Sequence, residues 1–173
     1  VEDEEKERKI TINSNLFQAT WQGHCIHFLD SPGYTDFVAG SISSLAAADV
    51  AVICVAADAG IEVNTRKAWH FAEDMDVPVA IAITKMDADN ANFQKALSSI
   101  KEVFSEKATA IYVPDNDGPS FSSLASVLNP EGHEEASLLR EEMLESVTEA
   151  DEDLLMRYLD GEEISTEEIN QAF

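Results

Sequence analysis

The sequence predicts an α/β fold: a mostly parallel sheet flanked by helices, followed by an acidic helical appendage. Strand and helix patterns alternate along the first part of the chain, which is the order that parallel strands require. Two strands are continuous apolar runs, VAVICVA at 50–56 and PVAIAI at 78–83, of the kind found in sheets covered on both faces. Acidic residues are concentrated near the end of the chain, so we expect two regions of different chemistry.

The first region contains five predicted strands and three predicted helices. The strand patterns cover 10–21, 24–29, 50–56, 78–83 and 108–113, and the helix patterns cover 36–48, 62–75 and 93–104. The helix at 62–75 places Ala68, Phe71, Ala72 and Met75 on one apolar stripe. This stripe is expected to face the sheet.

The second region follows a loop. Residues 114–130 are rich in Asp, Asn, Gly, Pro and Ser and predict a loop with one short helical turn. Residues 131–158 predict an acidic helical stretch broken near 149–151. Ser165, with Glu168 three positions on, is typical of a helix start. From 131 to 173 the chain carries fifteen acidic and two basic residues.

The composition excludes several classes of function. A net charge of −23 over 173 residues disfavours binding to DNA or RNA phosphates, which needs clustered Lys and Arg, and disfavours anionic membrane surfaces. No apolar run reaches the roughly 18 residues of a membrane span, and no leader pattern is present. We therefore expect no membrane, no direct DNA binding and a cytoplasmic location. Because residue 1 is Val, we also expect an interior piece of a longer chain.

The two cysteines, Cys25 and Cys54, are too few for a disulfide framework and indicate a reducing compartment. Cys54 lies within an apolar run and is expected to be a small buried residue. His24, Cys25 and His27 contain good zinc ligands, but neighbouring residues of a strand point to opposite faces. A metal site there is therefore disfavoured.

Two predicted strands end in motifs that carry a carboxylate. The strand at 24–29 continues into DSPGY at 30–34, and the strand at 79–83 continues into TKMD at 84–87. Ligands of open parallel sheets bind outside such strand ends. Asp30 can hold Mg²⁺ through water, and Gly33 lets a backbone N–H approach a phosphate oxygen. Asp87 can accept two hydrogen bonds from guanine, a donor pair that adenine lacks.

These motifs resemble those of the GTPase domain of translation elongation factor G, its divergent paralogues and the related tetracycline-resistance ribosomal protection proteins. RKITI at 8–12 resembles the end of the family's first switch, usually RGITI. Residues 30–37 resemble DTPGHVDF, and TKMD resembles NKMD. DLLMRYLDGEE at 153–163 resembles a stretch of the inserted subdomain. Four motifs in the family's order cover nearly the whole chain, with a weaker match at 114–130.

The resemblance implies a three-layer P-loop GTPase-like fold that uses GTP and Mg²⁺ in the full-length protein. By this resemblance Thr11 and Asp30 contact Mg²⁺, the latter through water, and Gly33 contacts the γ-phosphate. Tyr34 occupies the position of the catalytic histidine that orients the attacking water. No bound cofactor is expected in this chain alone.

The base-specific motif has its own implied roles. Lys85 and Asp87 are similar to the family's guanine readers, and the aliphatic stem of Lys85 can lie against the base. Thr84 also belongs to this nucleotide-binding motif, where it replaces the family's Asn. The hydroxyl of Thr84 retains a hydrogen-bonding group but not the amide that ties the base-binding loop to the phosphate loop.

Other departures from the family pattern are equally informative. Lys9 stands where the switch has Gly, which removes a freely bending position. Tyr34 replaces a histidine, and no G-x-x-x-x-G-K-[ST] phosphate loop occurs in the chain. We expect the phosphate-loop strand to be missing, so this chain alone is inactive even if the full-length parent hydrolyses GTP. Without that strand, we expect the strand that ends at Asp30 to pair directly with the strand at 50–56; the alternative is a dimer in which two chains exchange elements.

The implied organisation is a partial GTPase domain at 1–113, a loop with a trimmed insert at 114–130, and the acidic helical part of the inserted subdomain at 131–173. The favoured function is that of a fragment of an elongation factor G-like ribosomal factor. Its partners would be the ribosome and, through the acidic helices, the large-subunit stalk protein. Two alternatives remain: a ribosomal protection protein, and a non-hydrolysing GTPase-like module that binds a protein partner through its acidic helices.

Overall fold

The computed structural model describes residues 2–149, 151–162 and 164–172. The chain divides into two compact units. The first comprises Val1–Val55 and Ile61–Thr84, and the second comprises Ala56–Gly60 and Lys85–Phe173. Each unit has its own secondary structure and its own buried side chains, and each is described separately below.

The first unit combines a hairpin with a strand–helix–strand segment. Its elements are α1 (Asp3–Arg8), β1 (Asn15–Trp21), β2 (His24–Asp30), α2 (Val38–Leu45), β3 (Ala51–Ala56, the last residue counted with the second unit), α3 (Val63–Asp74) and β4 (Val79–Thr84). A 3₁₀ turn at Thr35–Phe37 precedes α2. Helix α1 lies outside the predicted elements, because its acidic segment has no apolar stripe. Strand β1 begins at Asn15 rather than at residue 10, because the backbone N–H groups of Ile12 and Asn13 donate to the Glu5 side chain instead of to a strand.

The hairpin has a continuous antiparallel register. Asn15 lies opposite Asp30 at one end, and Trp21 lies opposite His24 at the other. Gln22 and Gly23 form the turn with φ of 47° and 81°, the conformation that two-residue hairpins favour. This register brings the segment before β1 to the carboxyl end of β2.

The predicted strand pairing is wrong. In the part of the chain that the structure describes, the strands form three two-stranded sheets: β1 with β2, β3 with β4, and, in the second unit, β5 with β6. Strand β2 therefore does not pair with β3. Strands β1 and β2 are joined by a two-residue turn, and β3 and β4 by one helix. Strands β2 and β3 are also joined through one helix, so the length of the connection does not decide which strands pair. The predicted alternation of strands and helices is present, but the described strands do not join into one continuous sheet.

Both strand pairs of the first unit leave apolar side chains exposed. In β3, Ile53 and Val55 are buried, whereas Val52 is 62% exposed and Cys54 is also exposed. The prediction that Cys54 is buried is therefore wrong, because only one face of β3 is covered. In the hairpin, Phe17 and Phe28 lie opposite each other on one face and are both about half exposed.

The second unit is mainly helical. Its elements are α4 (Phe93–Val103), β5 (Tyr112–Pro114), β6 (Leu124–Ser126), α5 (Glu134–Thr148), α6 (Glu152–Leu159) and α7 (Thr166–Ala172). The helical turn predicted in 114–130 is present at Gly118–Ser120, and the antiparallel partner β6 is an addition. Helices α5 and α6 confirm the predicted break near 149–151, of which residue 150 lies outside the described residues.

The acidic helices carry apolar faces that form the core of this unit. Helix α5 buries Ala136, Leu139, Met143 and Val147, which repeat at helical spacing. The predicted start of α7 is confirmed: the Glu168 N–H donates to Ser165 Oγ, and the Ser165 N–H donates to Glu168 Oε2 at 2.9 Å. None of the helices in the described part of the chain combines the length and the apolar character needed to cross a membrane.

Candidate functional site

Two of the residues predicted to bind magnesium lie in contact. Thr11 belongs to the segment between α1 and β1, and Asp30 is the last residue of β2. The hydroxyl of Thr11 donates a hydrogen bond to Asp30 Oδ2 at 3.2 Å, across nineteen positions of sequence. Hydroxyl and carboxylate oxygens are hard donors that suit Mg²⁺, so the chemistry of these two side chains fits a magnesium ion, which Asp30 would contact through water.

The loop after β2 is held by side chains from two helices. Asn64 of α3 donates to the Gly33 carbonyl at 2.9 Å, and Ser41 of α2 donates to the Pro32 carbonyl at 2.6 Å. Space around Gly33 is open, because an added Cβ would meet no atom within 4 Å. Tyr34 is 57% exposed. The loop therefore presents the Gly33 backbone and the Tyr34 side chain to solvent.

The base-specific motif begins at the end of β4. Thr84 lies in the first unit, where its hydroxyl donates to the Val55 carbonyl at 3.5 Å. Lys85 has a left-handed backbone, with φ of 55°. At the start of the second unit, Met86 is buried and its carbonyl accepts the Gly118 N–H at 2.9 Å. Lys85 and Asp87 are exposed on either side of it, so both side chains are free to approach a ligand.

Lys9 has the backbone conformation that glycine favours. It ends α1 with φ of 54° and ψ of 43°, in the left-handed region. The lysine therefore does not prevent the bend expected at this position. It adopts the bend at an energetic cost, because a Cβ is disfavoured there.

Sequence reasoning missed Glu5, which organises the segment that carries Thr11. Its side chain is 4% exposed, although the residue is charged. Hydrogen bonds from the backbone N–H groups of Ile12, Asn13 and Glu2 lower the pKa of Glu5 to about 2. The signal was available, because a Glu three positions into a helix is the residue that completes a capping box.

The cysteine and histidine side chains of β2 do not form a metal cluster. The hairpin register places His24 opposite Trp21 and Cys25 opposite Thr20, on the two different faces. Cys25 Sγ accepts from Gln18 Nε2 at 2.9 Å and lies 3.5 Å from His27 Nε2. Among the described residues, no three His, Cys, Asp or Glu side chains are placed to hold a metal ion.

Comparison with known proteins defines the class of this domain. Residues 1–165 match the family model described as the elongation factor Tu GTP binding domain. The chain belongs to this family, so its fold is of the GTPase-type α/β class.

Two relatives make the relationship more specific. The chain is 30% identical over 178 residues to an elongation factor G-like protein of Thermotoga maritima, an alignment that covers 95% of this chain and 26% of that protein. A crystal structure of a protein from Thermus thermophilus is similar with a TM-score of 0.89 and 31% identity, covering 99% of this chain and 28% of that one. The chain thus spans about a quarter of the length of both relatives. The resemblance to the elongation factor G family is confirmed.

Proposed function

We propose that this chain is part of the GTP-binding domain of an elongation factor G-like ribosomal translation factor, which binds and hydrolyses GTP as a longer protein. The contact between Thr11 and Asp30 carries the proposal. A hydroxyl and a carboxylate from distant parts of the sequence meet at the carboxyl end of β2, and oxygen atoms of both kinds suit Mg²⁺, with Asp30 acting through water. Family membership supports the identity of the ligand as GTP.

In this proposal the strand-end residues of the first unit bind the phosphates of GTP and the magnesium ion. Thr11 and Asp30 hold Mg²⁺, which neutralises charge on the phosphate oxygens when it is bound. The Gly33 N–H donates to the γ-phosphate, and the open space around Gly33 supports a close approach. Tyr34 orients the attacking water through its hydroxyl, which can both donate and accept a hydrogen bond.

The Lys85–Asp87 turn selects the base. The Asp87 carboxylate accepts from the guanine N1–H and amino group, and the aliphatic stem of Lys85 covers the face of the base. Burial of Met86 anchors the turn and supports the outward direction of its two neighbours. Thr84 supports the turn through its hydrogen bond to the backbone of β3.

The regions of the chain have separate tasks in the proposal. Residues 1–113 form a partial GTPase domain without the phosphate-loop strand, and 114–130 form a trimmed loop. The lack of pairing between β2 and β3 in the described residues supports a strand that is missing between them, and exposure of Val52 and Cys54 supports a missing layer on one face of β3. Because the phosphate loop supplies most of the phosphate contacts, this chain alone has no saturable affinity for GTP at micromolar concentration.

Residues 131–173 provide an acidic surface for a basic protein partner, proposed to be the stalk protein of the large ribosomal subunit. Glu141, Glu142 and Glu145 are exposed on α5, away from its buried apolar face. The negative electrostatic potential of closely spaced carboxylates accelerates association with a basic surface. Changing all three to Lys should weaken stalk binding with a strong salt dependence. An affinity that is unchanged at low salt would contradict this role.

The same proposal places the longer protein in the cytoplasm, where it takes part in translation without contact to a membrane or to DNA.

The decisive experiment concerns Asp87 in the longer protein. Loss of a carboxylate that accepts two hydrogen bonds should cost about 3 kcal/mol, or roughly a hundredfold in GTP affinity. Asp87→Asn is compared by calorimetry with Asp89→Asn, a control at an exposed residue two positions on. Equal GTP affinities for the two variants would exclude Asp87 as the guanine reader, and the absence of any GTP binding by the parent would favour the non-hydrolysing module.

A further inference from the structure

We infer that Glu5 is a positioning residue that holds Thr11 against Asp30 before any nucleotide binds. The inference rests on the proposed role of Thr11 and Asp30 in magnesium binding. Glu5 lies in α1, six positions before Thr11. The hydrogen bonds of its side chain come from backbone N–H groups and not from the side chains of Thr11 or Asp30. It acts through the backbone on both sides of the threonine.

The hydrogen bonds of Glu5 surround the threonine segment. Glu5 Oε1 accepts the Ile12 N–H at 2.8 Å and the Asn13 N–H at 3.1 Å, and Oε2 accepts the Glu2 N–H at 2.8 Å. The main-chain carbonyl of Glu5 accepts the Ile10 N–H at 3.3 Å. Residues immediately before and after Thr11 are therefore tied to one buried residue.

A second anchor lies just downstream. Ser14 Oγ accepts from Ser44 Oγ at 2.7 Å and donates to the Gly40 carbonyl at 3.1 Å, both in α2. The segment from Ile10 to Ser14 is thus fixed at its start by α1 and at its end by α2. Since a preordered ligand loses less conformational entropy on binding, the threonine half of the site is formed in advance rather than assembled by the nucleotide.

Buried carboxylates are usually retained only where several donors satisfy them. Glu5 is the one buried residue among those described in α1. If it served only to fill space, an apolar residue could do so without the cost of burying a carboxylate. Its three backbone partners instead converge from outside the helix body, two of them from the Thr11 segment. This placement indicates that holding the segment is the function of the side chain.

The test uses the 173-residue chain and nuclear magnetic resonance. Glu5→Ala removes all side-chain acceptors, Glu5→Gln keeps the oxygen that accepts from Ile12 and Asn13, and Glu4→Ala is the matched control at an exposed neighbour. We expect Glu5→Ala to speed amide exchange of Ile12 and Asn13 at least tenfold and to abolish the nuclear Overhauser contact between Thr11 and Asp30. Glu5→Gln should retain most of the amide protection and of the Thr11–Asp30 contact, and Glu4→Ala should change neither of them.

Manganese serves as a paramagnetic probe of the metal site. Because no bound cofactor is expected in this chain alone, the manganese experiment uses the longer protein with GTP. There Mn²⁺ should broaden the signals of Thr11 and Asp30, and Glu5→Ala should weaken that binding by about five- to tenfold. Persistence of the Thr11–Asp30 contact in Glu5→Ala would overturn the positioning role. Absence of Mn²⁺ broadening in the wild type, with loss of the contact in Glu5→Ala, would support the positioning role and refute the proposed metal site.

Discussion

Replacement of Lys9 by glycine should strengthen the α1 segment, although glycine usually weakens helices. Lys9 occupies the left-handed region with φ of 54°, which costs a residue with a Cβ about 1–2 kcal/mol. Glycine removes that cost but loses about 0.5–1 kcal/mol through its greater freedom in the unfolded chain. The net gain should be about 0.5–1 kcal/mol, confined to the segment that α1 anchors.

Amide exchange measures this gain locally. The Ile10 and Ile12 N–H groups both donate to Glu5, so their protection factors should rise by about two- to fivefold in Lys9→Gly. Glu7→Gly, within α1 itself, is the matched control and should lower protection by about fivefold, since glycine in a helix interior costs about 1 kcal/mol. A fall in protection for Lys9→Gly equal to that of Glu7→Gly would refute the reasoning from backbone strain.

The remaining predictions address catalysis, packing and pH. In the longer protein, Tyr34→His should hydrolyse GTP faster with ribosomes, by about a hundredfold if one positioning group is restored; a variant no faster in single turnover would contradict the role of this position. Met143→Ala, at a fully buried site, should lower the free energy of unfolding in urea by about 2–5 kcal/mol. The control is Leu138→Ala, at a residue that is 61% exposed. Equal losses of stability in the two variants would exclude a packed apolar core beneath helix α5. Hydrogen bonds from Arg157 and Ser165 lower the pKa of Glu168 from 4.5 to about 2, so its stabilisation is complete above pH 4.5 and is lost as the pH falls towards 2. Glu168→Gln should flatten the acid limb of a stability–pH profile measured by circular dichroism, and an unchanged limb would contradict this assignment.

Local patterns in the sequence predicted most helices and strands but not their partners. The apolar runs that contain Val52 and Ala80 were correctly assigned to strands. A continuous apolar run cannot reveal whether one face or two faces will be covered, because that depends on layers elsewhere in the chain or beyond it. This is why the exposure of Cys54 was not predicted.

The site was predictable in its residue types but only partly in its geometry. The Asp30 and Asp87 motifs can be read directly at strand ends, whereas the role of Thr11 came from the family resemblance alone. Outside the candidate site, Asp115 illustrates contacts that sequence reasoning could not supply. Its carboxylate accepts hydrogen bonds from Ser122 and Ser123, which hold the pKa of Asp115 far below its usual range, but these partners are seven and eight positions away within a loop of no regular pattern.

The two exposed thiols of this domain can be used to test whether the exposed face of β3 is covered by another part of a longer protein. Cys25 and Cys54 are both free and exposed, so a maleimide reagent can reach each of them, at a rate set by access and thiolate fraction. A strand or helix laid over the outer face of β3 would shield Cys54 and slow its alkylation relative to Cys25. The ratio of the two alkylation rates, read by mass spectrometry of the unmutated protein, would therefore report whether the open face of β3 has been covered.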